Sequence, residues 1–275
     1  MLLSDAVFCA TMKVYAGMSA RRAMSDLRDL GERGFIAHVP HYNSVINALE
    51  NPDLTPLLTA MIEESAQPLR CVETDFAVDS SGFTTSIYHR WYSEKYGRER
   101  SEAFWLKAHV MVGTTTNIVT SVEVTHGHAH DGQHFRPVFE RSARRFNVER
   151  LSADKAYSSA RILGLVDSAG AMPLIPFKKN AKGTSPYRGR GLDIWARMFH
   201  YFSYNRDEFM RYYHKRSNVE TTFSMIKAKF GSRIRSKTPV AQVNEVLCKV
   251  LCHNLCCLVQ SIYELGIEPE FWKAS

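Results

Sequence analysis

From residue 4 to about residue 66, apolar side chains recur at helical spacing, with breaks at Gly17, at residues 31–34 and at Asn51-Pro52. Ser19 reads as the N-cap of a helix running to Leu30, and residues 41–49 read as another short helix. At Cys71 the period changes. Val72, Thr74, Phe76 and Val78 alternate with Glu73, Asp75, Ala77 and Asp79, which predicts a strand with carboxylates on one face. Two further strands are expected over 103–112 and 118–124, joined by a turn at 113–117. A helix over 135–146, a strand over 148–153, a helix over 158–168 closed by Gly170 and a strand over 172–177 follow. The final third is helical: residues 204–230 contain no proline or glycine, and a second long helix is expected over 240–265 after Pro239.

Three strands followed by alternating helix and strand describe an α/β class with a mixed sheet. The chain therefore divides into an all-helical region (1–68), a sheet-containing domain (69–238) and a helical C-terminal segment packed on it (239–275). The spacing of the first short helices resembles a helix-turn-helix, and a bundle that only braces the next domain fits the same pattern. The chain opens directly in a helical pattern, which leaves room for an upstream segment. The apolar run 250–263 is short for a bilayer, and Asp5 and Lys13 interrupt the opening apolar residues, so a soluble cytoplasmic protein without a membrane partner is expected.

A hydrophobic content of 45% with 11% aromatics excludes disorder as the default. Among the six cysteines, Cys248, Cys252, Cys256 and Cys257 crowd one segment and show no disulfide framework; core packing is expected, with a metal site including His253 as the alternative. The net charge of +7 changes the picture once it is located. Residues 178–237 hold fifteen Lys or Arg against four Asp or Glu, and the rest of the chain is net acidic. Interleaved with Tyr187, Trp195, Phe199, Tyr201, Tyr204, Tyr212 and Tyr213, these cations suit a nucleic-acid backbone, with rings to pack on sugars or bases. A solvated basic face is the plainer reading of the same run.

Within that segment, Tyr213, Arg216, Glu220 and Lys227 have the spacing Y-x2-R-x3-E-x6-K. At about 100° per residue a continuous helix would gather all four within an arc of about 60°. One carboxylate would then be flanked by two cations and a phenol. An ordinary i,i+4 ion pair between Arg216 and Glu220 is the competing account.

This spacing is similar to the signature of the insertion-sequence transposases that carry the YREK motif within the DDE superfamily. Ala77-Val78-Asp79-Ser80-Ser81-Gly82 resembles their first-aspartate motif and Asp154-Lys155-Ala156-Tyr157 their second. The resemblance covers about residues 4–260. It implies a ribonuclease H-like sheet flanked by helices, in which the first and fourth strands are neighbours and bring Asp79 to Asp154. It further implies that Asp79, Asp154 and Glu220 are catalytic and hold two Mg2+ or Mn2+ ions, Asp79 bridging them. Hard oxygen ligands suit those ions, and two of them can serve the attacking and the leaving oxygen of a phosphodiester. Arg216, Lys227 and Tyr213, with Lys178, Lys179, Arg188 and Arg190, are expected to contact DNA. The implied partners are double-stranded terminal inverted repeats, target DNA and a second copy of the chain. Only 65 residues separate Asp154 from Glu220, so the large β-rich insertion of the best-known members has no room.

Three competitors remain at this level. Asp75 shares a strand face with Asp79, although the Ser-Ser-Gly that follows Asp79 favours the latter because small residues allow close backbone approach. The run His126-Gly-His-Ala-His-Asp131, with His134 beyond it, suggests a zinc hydrolase, yet its order differs from H-x-H-x-D-H. A transposase-derived protein that only binds DNA is the third.

Overall fold

The computed structural model describes residues 2–85, 105–184 and 192–269. Four helices come first: α1 (Leu3–Tyr15), α2 (Met24–Glu32), α3 (Tyr42–Glu50) and α4 (Leu54–Ala66). Then β1 (Asp75–Thr84), β2 (Trp105–Gly113), β3 (Val119–His126), α5 (Asp131–Ala143), β4 (Arg150–Ala153), α6 (Ala160–Ser168) and β5 (Met172–Leu174) alternate. The chain ends in α7 (Leu192–Tyr204), α8 (Arg206–Tyr213), α9 (Ser217–Phe230) and α10 (Pro239–Leu265).

The five strands form one mixed sheet in the order β3-β2-β1-β4-β5. β1 pairs antiparallel with β2 and parallel with β4, so the first and fourth strands are neighbours, as in the ribonuclease H-like arrangement. Alternation along β1 divides the core in two. Ala77 and Phe83 join α1, α4, α9 and α10 on one face, while Phe76 and Val78 join α5, α6, α7 and α8 on the other. The turn between β2 and β3 is fixed from beneath by buried Glu73, which accepts from the amides of Thr115 and Thr116. A side chain at Gly113 would collide with that carboxylate, and Asn117 takes the left-handed conformation the turn requires.

Several expectations need correction. β1 continues to Thr84 because Phe83 is fully buried and anchors the polar Ser-Ser-Gly stretch in the sheet. Gly82 is small for a structural reason, since a Cβ there would lie 2.7 Å from the Trp105 ring. Ser19 does not cap a helix: α2 starts at Met24, after a turn. The continuous helix over 204–230 is broken at Asn205 and again by a 3-10 turn at His214–Arg216. Packing drives those breaks, because Phe209 is buried against Tyr201, Phe202 and Tyr213 and sets the direction of α8.

The N-terminal helices brace the fold: α1, α3 and α4 all pack on α10, and α4 also reaches β3. By length and composition α10 could cross a membrane, but 67% of its apolar window is buried within the fold. Cys248, Cys252 and Cys257 lie in that buried helix, where burial pushes the Cys248 and Cys257 thiols up to about 12. The Nε2 of His253 lies 2.9 Å from the Asn117 carbonyl, and burial lowers its pKa.

Candidate active site

Asp79 sits in the middle of β1 on the face that α9 covers. Its Oδ1 accepts from the amide of Ser80 at 2.8 Å, and its Oδ2 accepts from Arg216 at 3.0 Å. Asp154 follows β4 directly, one residue beyond the Val78–Ala153 pair, so sheet pairing carries it to Asp79 across 75 residues of sequence. Glu220 lies in the first turn of α9. That turn is pinned to the sheet by Asn218, which donates to the Thr114 carbonyl, and by the ion pair of Lys215 with Asp75.

The three carboxylates are close enough to feel one another. Burial raises the pKa of Asp79 most; the Ser80 amide and Arg216 oppose this, while the negative charges of Asp154 and Glu220 add to it. Arg216 answers that charge: its guanidinium spans Asp79 and Glu220, reaching Glu220 Oε1 at 2.5 Å. The i,i+4 pair is therefore present, and it is one half of a bridge. Tyr213 ends α8 with its ring 5.9 Å from the Arg216 guanidinium, and burial raises its phenol. Lys227 stands farther along β1, donating to Ser81 Oγ at 2.7 Å, and its desolvation lowers its pKa.

A divalent cation suits this donor set. Asp79, Asp154 and Glu220 offer hard oxygen donors from three elements, the chemistry such an ion takes, and Arg216 already puts a positive charge between two of them. Among the described residues no three such groups stand close enough together to hold a metal, and Arg216 occupies the space between Asp79 and Glu220. Asp75, the competing aspartate on the same strand, is ion-paired to Arg150 at 2.8 Å and to Lys215 at 2.5 Å.

The opposite face of β1 carries a group that sequence reasoning missed. Ser80 Oγ donates to Asp131 at 2.9 Å, and Asp131 is ion-paired with Lys107 at 2.5 Å. Buried His109, opposite Ser80 in the register, lies 3.5 Å from the same carboxylate and stacks on His134, which pairs with Glu123. Burial and the neighbouring His134 push His109 down to about 4, so it is neutral at pH 7 and Lys107 is the partner cation of Asp131. The Tyr157 hydroxyl is buried nearby, beside Ser80, and burial raises its pKa. The clue in the sequence was the alternation itself, which sends Ser80 to the face opposite Asp79.

Among the described residues the histidine run brings no three groups together that could hold a metal. His126, His128 and His130 are exposed, whereas His134 and Asp131 are engaged in separate pairs. Lys178 and Lys179 are exposed, and Arg188 and Arg190 lie outside the described residues. Of the aromatic residues expected to pack on nucleic acid, Trp195 is buried against Phe177; Phe199, Tyr201, Tyr212 and Tyr213 pack partly buried on the same core; Tyr204 is 80% exposed; and Tyr187 lies outside the described residues.

No match to the chain is found among curated proteins or solved structures. Residues 70–255 match the family described as Transposase DDE domain, a span that begins just before β1, ends within α10 and includes all three carboxylates. With about two thirds of its length matched, on a five-stranded mixed sheet flanked by helices, the chain belongs to the DDE transposase family.

Proposed function

We propose that the chain is the transposase of a prokaryotic insertion sequence of the YREK type. It binds the terminal inverted repeats of its element, nicks at the ends to free 3′-hydroxyls and joins these to target DNA. The observation that most supports this reading is the convergence of Asp79, Asp154 and Glu220 from three separate elements, with Arg216 between two of them. In this reading the three carboxylates hold two Mg2+ or Mn2+ ions, which when bound activate the attacking oxygen and stabilise the leaving one.

The remaining roles follow from what each side chain touches. The Ser80 amide fixes the Asp79 carboxylate, leaving Oδ2 to turn from Arg216 to a ligand. Arg216, once displaced from the carboxylates, is beside the reacting phosphate and neutralises charge there. Lys227 holds the strand backbone of DNA along β1, and Tyr213 keeps the Arg216 guanidinium oriented. Lys178, Lys179, Arg188 and Arg190 extend the contact with duplex. Residues 69–238 form the catalytic unit, 1–68 a helical region braced on it and 239–275 the helical segment between them. Two ends must be cut together, so the active form on DNA is a dimer in the cytoplasm, acting at the nucleoid.

The test is cleavage of a labelled duplex carrying the element's terminal repeat, with Mg2+ or Mn2+, by wild type and Glu220→Gln. Nicking at the repeat boundary that disappears in the variant is expected. Nicking that survives in Glu220→Gln removes Glu220 from the site, and binding without nicking by wild type leaves a protein that only binds DNA.

A further inference from the structure

Residues 231–238, between α9 and α10, run beside the far end of β1. Thr84 donates its amide to the Ser232 carbonyl at 3.1 Å and accepts from the Ile234 amide at 2.8 Å. Burial alternates along this strap: Ile234 is buried, whereas Arg233, Arg235 and Lys237 point outward and are exposed. Among the described residues none of these three cations has a carboxylate within ion-pair distance.

The strap is held by buried charge. Glu245 of α10, 2% exposed, accepts from the amides of Arg235 at 3.0 Å and Ser236 at 2.8 Å, and from Ser236 Oγ at 2.7 Å. Lys249, one turn on and equally buried, donates to the carbonyls of Gly231 at 2.8 Å and Arg233 at 2.6 Å. The two side chains are 3.9 Å apart, as are Lys13 and Glu245, so their shortest contacts go to strap atoms. Removing a charge from water costs several kcal/mol, and a buried ion pair is weak evidence for stability by itself. What this pair achieves is a fixed backbone under three outward-facing cations.

The direction of the strap matters as much as its charge. Along β1, Arg216 stands at Asp79, Lys227 at Ser81 and Arg233 beside Thr84. Arg235 and Lys237 continue that line away from the carboxylates toward α3, where Thr238 reaches Glu50 at 3.5 Å. From Arg233 to Lys237 the chain spans at most about 14 Å, and a duplex of that length presents roughly eight phosphates.

We propose that Arg233, Arg235 and Lys237 form a pre-ordered phosphate-binding track for duplex DNA leading away from the carboxylate cluster. A fixed backbone lowers the ordering cost that a loose basic loop would meet on binding. The location of the cut relative to the track rests on the transposase reading; duplex binding by the track does not.

The experiment uses the full chain in EDTA, so that no cutting occurs, and a labelled duplex of arbitrary sequence, with affinity followed by anisotropy as KCl is raised. Each phosphate contact contributes about 0.9 to the slope of log K against log salt, so R233Q/R235Q/K237Q should flatten it by about 2.7. Between roughly 50 and 200 mM salt, the wild type should then lose about 40-fold more affinity than the variant does. A control, R136Q/R144Q/R161Q, neutralises three exposed cations on α5, α6 and the turn between α5 and β4, and should leave the slope unchanged. An unchanged slope in the strap variant, an equal flattening in the control, or no duplex binding by wild type each overturns the proposal. A wild type that shows the strap-dependent slope and never nicks its terminal repeat sinks the transposase reading and leaves the track standing.

Discussion

Asp131 is expected to contribute to stability from outside the carboxylate cluster. It is 28% exposed, whereas its partner Lys107 is 15% exposed and the neighbouring His109 only 1%. Replacement by alanine leaves the ammonium of Lys107 and the hydroxyl of Ser80 without an acceptor in a poorly hydrated place. Breaking a fully buried pair costs about 3–5 kcal/mol, and the partial exposure of both groups reduces this to about 2 kcal/mol. Asparagine keeps an acceptor for Ser80 and loses the charge, so about 1 kcal/mol is expected for Asp131→Asn.

The pH dependence gives a sharper check. Burial alone would raise the Asp131 pKa, but the hydrogen bonds from Lys107 and Ser80 and the Lys107 charge bring it below its ordinary value. A depressed carboxylate stabilises the fold above its unfolded pKa of about 4 and loses that stabilisation as pH falls through the lower folded value. Urea unfolding at pH 7 and again below pH ~4 should therefore show a gap between wild type and Asp131→Asn that closes in acid. Because Ser80 also donates its amide to Asp79, the variant should need more divalent metal for half-maximal nicking. A stability loss under about 0.5 kcal/mol for both variants would refute the account of Asp131 as a part-buried ion-pair partner.

Two further outcomes follow from groups on either side of β1. His109, held down to about 4 against about 6.5 unfolded, must be protonated on unfolding in acid, so stability should fall between those two values by roughly 3 kcal/mol. His109→Gln should remove that part of the slope, and an unchanged profile would show that other groups carry it. At the proposed metal site a divalent ion would displace Arg216 from Asp79 and Glu220, so Arg216→Gln without DNA should bring the Mg2+ midpoint for thermal stabilisation down about tenfold. An unaltered or higher midpoint argues that the guanidinium does not stand in the metal's place.

Much of the architecture was readable in the order of residues, for a physical reason. Period-two alternation at β1 and period-3.6 patterns in α4 and α10 report which face each element buries, and burial is what the chain selects first. Charge location singled out residues 178–237, and the spacing around Glu220 singled out its neighbours. The tertiary structure alone decided where side chains meet. Sheet pairing brought Asp154 to Asp79, and burial of Phe209 broke the long helix so that Arg216 sits in a turn that can reach two carboxylates at once. The same holds for Asp131 and for the strap. Ser80 finds Asp131 across 51 residues and Glu245 finds the backbone of Arg235 because their elements pack, a contact that no local pattern encodes. Local sequence determines which face a residue occupies, whereas the partner on that face is fixed only when separate elements are packed against each other.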